Sequence, residues 1–166
     1  IEIFVFNNGK AMIAHGLAVI KNKYFNGGVN AEKVALLAIY HDSNETITGD
    51  LPTPIKYFNP GIQSAYKDLE NISKEKLLTL LPAGLREEYR NLLFYDEQSE
   101  EGRIIKAADR LCAYVKCMEE LKAGNGEFQK AQQATLKKIR KMDLPEVNYF
   151  MDHFIDNFSL TLDELN

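Results

Sequence analysis

The stretch Tyr40-His41-Asp42-Ser43-Asn44-Glu45-Thr46-Ile47-Thr48-Gly49-Asp50 closes an apolar run, Val34 to Ile39, and the reading of the whole chain turns on it. It sets an imidazole beside a carboxylate at the end of an apolar helix. Neutral imidazole and carboxylate are both ordinary ligands for first-row divalent metals. Glu45 lies four residues after His41 and three after Asp42, so it shares their face if the last turn of the helix continues. That would leave Glu45 free to handle a water or a proton rather than an ion. A second reading has His41 and Asp42 simply closing a helix C-terminus and its turn. The stretch alone leaves both open.

Upstream, Asn30 is a good N-cap for a helix from Ala31 to Asp42. Phe25-Asn26-Gly27-Gly28 reads as a loop, and Lys10 to Lys23 as a helix. In that helix Met12, His15 and Val19 follow the i, i+3, i+7 spacing of a buried face. His15 would then be either a hydrogen-bonded core histidine or a support behind a metal ligand. Ile1 to Phe6 alternates like a strand before Asn7-Asn8-Gly9 breaks the pattern. No second strand of similar strength follows, so this segment is expected to be irregular or part of the first helix.

Downstream, Thr48 to Pro54 carries two prolines and reads as a stiff loop, a place to position ligand-contacting groups or a plain connector. Ile62 to Leu81 is amphipathic and stops at Pro82; Ala83 to Phe94 is another helix, and Tyr95 to Gly102 an acidic loop. Arg103 to Lys122 carries a wide apolar stripe of Ile104, Ile105, Ala108, Leu111, Cys112, Val115 and Met118, with Asp109 inside it. A carboxylate pushed into a core costs several kcal/mol unless it is neutralised. Arg110 is adjacent but points about 100° away on a helix, so the partner is either a metal or a cation from another segment. Glu127 to Lys141 is a helix whose basic end suits the macrodipole. Pro145 begins a last helix through His153, a surface or packing residue, to Phe158, and Thr161 with Glu164 form a candidate capping box. The expectation is an all-α fold: a single domain over residues 1–166, built as a bundle of six to eight helices.

With 45% apolar and 27% charged residues in 166, the composition is that of a globular domain with a real core. A net charge of −4 argues against a nucleic-acid coat or an anionic membrane surface as partner. No apolar run is long enough to cross a bilayer. Cys112 and Cys117 are five residues apart, poorly placed to bridge on a helix, and no CxxC pattern suggests structural zinc. Reduced cysteines and no recognisable leader fit a cytoplasmic address. The chain opens without Met, which points to a start inside a longer product.

These residues resemble the HD-domain metal phosphohydrolases: His41-Asp42, Glu45, and Asp109 in Lys106-Ala107-Ala108-Asp109-Arg110-Leu111. The run from Ala35 to Asp42, continued by Thr48-Gly49-Asp50-Leu51-Pro52-Thr53-Pro54-Ile55-Lys56-Tyr57-Phe58-Asn59, is similar to the YfbR-type 5′-deoxynucleotidases. So are Leu111 to Cys117 and the ending from Tyr149 to Leu160. The resemblance implies a helical HD-domain bundle that binds one divalent transition metal ion, cobalt, manganese or similar. It implies removal of phosphate from 2′-deoxyribonucleoside 5′-monophosphates by a homodimer. Position by position, His41, Asp42 and Asp109 would be the metal ligands, Glu45 the catalytic acid or base, and Asp50 a substrate contact near the sugar. The family has a further metal-ligating His where the register here puts Phe6, and an earlier helix with an Arg and a Trp that this sequence does not contain. We expect a truncated or mis-assigned N-terminus rather than a lost site, since His41, Glu45 and Asp109 all remain. The rival expectations are another HD-type nucleotide phosphohydrolase, or an inactive helical module that binds a nucleotide or a partner.

Overall fold

The computed structural model describes residues 2–51, 53–56, 58–160 and 164, with the side chains of residues 2–8, 53 and 54 left out of the description. The side chain of Phe6 and the residue Thr161, both singled out above, therefore lie outside the described residues. Chain order is α1 (Glu2–Tyr24), α2 (Ala31–Tyr40), α3 (Glu45–Thr48), α4 (Thr53–Lys56), α5 (Pro60–Thr79), α6 (Arg86–Leu93), α7 (Glu100–Lys122), α8 (Gln129–Arg140) and α9 (Pro145–His153). Short 3-10 turns cover Ala83–Leu85, Gly126–Phe128 and Ile155–Ser159. Among the described residues there is no strand, and seven helices have eight residues or more. None is long and apolar enough to cross a membrane.

Local chemistry sets the helix ends. Asn30 accepts the Lys33 N–H at 2.8 Å, Asn59 accepts from Ile62 at 2.8 Å, and Ser99 accepts from Gly102 at 3.0 Å, each satisfying an otherwise orphaned first-turn donor. Pro60 and Pro145 occupy first-turn positions, where the missing N–H costs nothing. Asn22 clamps the loop after α1 from both sides. Its amide donates to Val29 O at 2.7 Å, and its Oδ1 accepts the Val29 N–H at 3.0 Å.

The core is a three-helix contact of α1, α2 and α7, closed by α8 and α9. Leu17, Ala14 and Ala18 of α1 meet Val34, Leu37 and Ala38 of α2 and Ile104, Ile105, Ala108 and Leu111 of α7, all essentially without solvent contact. Tyr24 stacks on Tyr149 at 4.9 Å between centroids, and Tyr149 on His153 at 4.0 Å, tying α1 to α9.

Several expectations are corrected. The first helix starts at Glu2 rather than Lys10, so residues 2–10 follow the helical one of the two readings given for that segment. Its buried face is not the one read from Met12, His15 and Val19. Met12 is 76% exposed, His15 and Val19 are also exposed, and the inward stripe is Ala11, Ala14, Leu17 and Ala18. Small residues let α1 approach both neighbours closely, and that packing outweighs the larger apolar side chains left outside. The second helix ends at Tyr40, not Asp42. The segment Thr48–Pro54 is not one loop, because α3 ends at Thr48 and α4 begins at Thr53, with Pro54 in its first turn. Asp109 is not sunk in the core: its side chain is 49% exposed at the edge of the apolar stripe of α7.

Candidate metal centre

Three of the residues predicted for the site come together. His41, Asp42 and Asp109 each present a ligand atom, and these atoms all lie within 4.8 Å of one another. Two elements make this happen. After Tyr40 the chain leaves the α-helix in a tight turn, with Ser43 N–H donating to Tyr40 O at 3.1 Å and Glu45 N–H to Asp42 O at 2.9 Å. The turn holds His41 and Asp42 half-buried at the end of α2. Across from it, α7 presents Asp109 one turn after Ile105, whose burial fixes the rotation of that helix.

The imidazole is oriented at both nitrogens. Nδ1 of His41 lies 2.9 Å from the Tyr95 hydroxyl, and Nε2 lies 3.3 Å from Asp42 Oδ1. When the phenol oxygen accepts from Nδ1–H, the Nε2 lone pair faces the carboxylates, the tautomer a metal ligand needs. Burial pushes the His41 imidazole below its ordinary pKa even though Asp42 pulls the other way, so the ring is neutral at physiological pH. Burial, followed by the charge of Glu97, raises the Tyr95 phenol, which stays protonated.

Lys10 completes the cluster. It is only 5% exposed, on the inward side of α1. Its ammonium donates to Asp42 Oδ2 and reaches Asp109 Oδ1 at 2.8 Å. Burial works against this charge, but Asp109 and Asp42 outweigh it and hold the group above the ordinary lysine value. For Asp42 the balance has the same form: burial opposes the carboxylate, while positive charge on His41 when protonated and on Lys10 holds it low. The cation from another segment, left open for Asp109 above, is Lys10.

Glu45 opens α3 and is half-buried. Burial first, and then the charges of Asp42 and Asp50, push its carboxyl up to about 7. Asp50 stands exposed just beyond Gly49, whose φ of +69° turns the chain at the end of α3. It is not one of the three clustered donors. Lys56 pairs with Glu70 at 2.6 Å and lies over the Tyr66 ring at 4.5 Å. Burial pushes the Cys112 thiol up to about 11, which leaves it neutral at physiological pH.

One imidazole nitrogen and two carboxylates converging at this range are a donor set that fits a divalent first-row ion. The family profile described as 5′-deoxynucleotidase YfbR-like matches residues 8–158. The chain belongs to this family. It is 53% identical over 157 residues to the 5′-deoxynucleotidase yfbR of Photorhabdus temperata, covering 94% of this chain and 80% of that one. It is 52% identical over 159 residues to a 5′-deoxynucleotidase of Yersinia pestis (strain Pestoides F), with the same coverage. An HD-domain phosphohydrolase from Listeria innocua shares the fold, with a TM-score of 0.81 at 23% identity, over 94% of this chain and 76% of that one. The all-α, HD-type architecture read from the sequence is thus the observed one.

Two residues that contact the cluster escaped the sequence reading. Lys10 left a signal of the same kind as Asp109: a charge four residues before Ala14, on the small-residue stripe of α1. Tyr95 left none, since it stands 54 residues from His41 in a loop read as merely acidic. Neither of two clefts in the described residues encloses the cluster. One, about 430 Å3, runs past Tyr95 between Lys33, Leu37 and Ser99; the other, about 330 Å3 and apolar, lies beside His15 and Phe150.

Proposed function

We propose that the chain is a metal-dependent 5′-deoxynucleotidase, hydrolysing 2′-deoxyribonucleoside 5′-monophosphates to deoxynucleoside and phosphate. The observation that carries this reading is the convergence of His41, Asp42 and Asp109 within 4.8 Å in a chain of the YfbR-like family. Those three residues would hold one divalent transition ion, cobalt, manganese or similar. When bound, such an ion supplies Lewis-acid stabilisation of phosphoryl charge and makes water acidic enough to act near neutral pH.

The protein's own groups divide the remaining work. His41 is kept neutral by burial and aimed by Tyr95, so its Nε2 is available as a donor. Glu45, with a carboxyl near pH 7, holds or releases a proton close to working pH, as an acid or base should. It would take a proton from the attacking water or deliver one to the departing 5′ oxygen. Asp50, at the exposed rim after Gly49, would accept a hydrogen bond from the sugar. We also assign the enzyme to the cytoplasm, and assign it a homodimeric state that sedimentation of purified protein checks directly.

The test is phosphate release from a panel of deoxy- and ribonucleoside 5′-monophosphates, with cobalt or manganese and with chelator. Release from the deoxy series that chelator abolishes is expected; no release from any member by metal-loaded protein would refute the proposal. A second reading, a module that binds nucleotide without turning it over, draws on the ammonium of Lys10, which pairs with both carboxylates. It predicts nucleotide binding with no phosphate released.

A further inference from the structure

The two carboxylates of the cluster already share a cation. Lys10 reaches them from α1, the helix that packs against both α2 and α7, and its ammonium touches Asp42 Oδ2 and Asp109 Oδ1. At 5% exposure the lysine has almost no water to fall back on. Asp42 is divided between two neighbours: Oδ2 serves Lys10, and Oδ1 faces His41 Nε2 at 3.3 Å. A divalent ion bound by His41, Asp42 and Asp109 would therefore either take the carboxylate oxygens that Lys10 holds or sit within a few ångströms of a like charge. Two like charges about 4 Å apart repel appreciably even at the effective dielectric of a protein surface. Neither arrangement is free of conflict.

We propose that Lys10 is a built-in competitor for the metal: its ammonium serves as the resident counter-ion of Asp42 and Asp109, and divalent binding has to displace it or work against it. The inference rests on the assignment of His41, Asp42 and Asp109 as ligands. Its consequence is a fold that stays closed around the site without metal and an ion that is held loosely and exchanges readily. A site of the same donors without the lysine would depend on the ion for its integrity and retain it through purification.

The deciding experiment measures cobalt and manganese affinity by chelator competition for the wild-type chain, Lys10→Met and Lys10→Gln, with metal content read by elemental analysis and melting followed with and without ion. Removing the ammonium is expected to tighten metal binding at least about tenfold. It should also lower the melting temperature in chelator and enlarge the gain on adding metal, because two carboxylates are left facing each other. Equal or weaker binding by both variants, with wild-type protein binding metal, overturns the competition and leaves the metal reading standing. If neither wild type nor variants bind an ion at millimolar concentration, the metal reading falls and this inference with it. Should both variants fail to fold in chelator, wild-type protein decides. Lys10 is expected to resist an amine-reactive label in chelator and to gain reactivity when cobalt is added, as read by peptide mass spectrometry. Reactivity that does not change with cobalt refutes the displacement.

Discussion

Replacing Glu45 by Gln separates the electrostatic cost of this carboxylate from its chemical use. In the folded protein the carboxyl is pushed from 4.5 up to about 7, first by burial and then by Asp42 and Asp50. An acid whose folded pKa is raised binds its proton more tightly in the native state than in the unfolded chain. Stability therefore falls as pH rises from the unfolded value near 4.5 through about 7, and stays reduced above it. A shift of some 2.5 units corresponds to an upper limit of about 3.4 kcal/mol at 1.36 kcal/mol per unit. Glu45 is only half-buried, and solvent screening reduces this to roughly 1–2 kcal/mol. Glutamine has nearly the shape of protonated glutamate and no charge. Glu45→Gln should melt with wild type at pH 4 and above it at pH 8, by about 2–8 °C for a chain of this size. The assay is a pH series of calorimetric melts in chelator, paired with phosphate release in cobalt or manganese. Turnover should drop by about a hundredfold or more, as expected for a lost acid or base. A constant offset between the two melting curves across the series would refute the electrostatic account. Full turnover would refute the catalytic one.

Tyr95→Phe removes the hydroxyl 2.9 Å from His41 Nδ1 and with it the control of ring orientation and tautomer; metal affinity by chelator competition should fall about tenfold or more, with the fold intact. Gly102→Ala would drive a Cβ into the Asp96 carbonyl oxygen and to 2.7 Å from the Glu97 backbone, so the loop that carries Tyr95 must shift. Overpacking of this kind costs about 1–3 kcal/mol, and the melting temperature should drop by some 2–12 °C; an unchanged melt would show that the loop yields freely.

The parts of the fold that the sequence made legible are those where one residue type has one use. Asn30 before one apolar run and Pro82 after another mark helix boundaries, and α2 and α5 fall within a few residues of them. The inward face of α1 was misread for a physical reason. Periodicity weighs Met12 and Val19 above Ala11, Ala14 and Ala18, but where one helix must lie against two others the governing quantity is distance of approach, which favours alanine. A short window cannot register that demand, because the neighbours that impose it, α2 and α7, come later in the chain.

The site follows the same division. His41, Asp42 and Asp109 drew notice because each is out of keeping with its apolar surroundings, and a charge or imidazole on a buried stripe needs a partner wherever it occurs. That rule identifies the members of a cluster but not who meets whom. Lys10 obeys the same rule, but only once the alanine stripe is known to be the inward face of α1, and it then sets one positive group against two negative ones. Such a pairing is what the demand for neutrality within a poorly solvated pocket produces, whichever cation supplies it. Tyr95 belongs to a different class. A tyrosine in a polar loop violates no local expectation, and its role exists only because Gly102 lets the start of α7 sit tightly against the residues that follow it. Residues that answer an electrostatic anomaly can be found one by one in a sequence, whereas those that aim them become visible only after the backbone has closed.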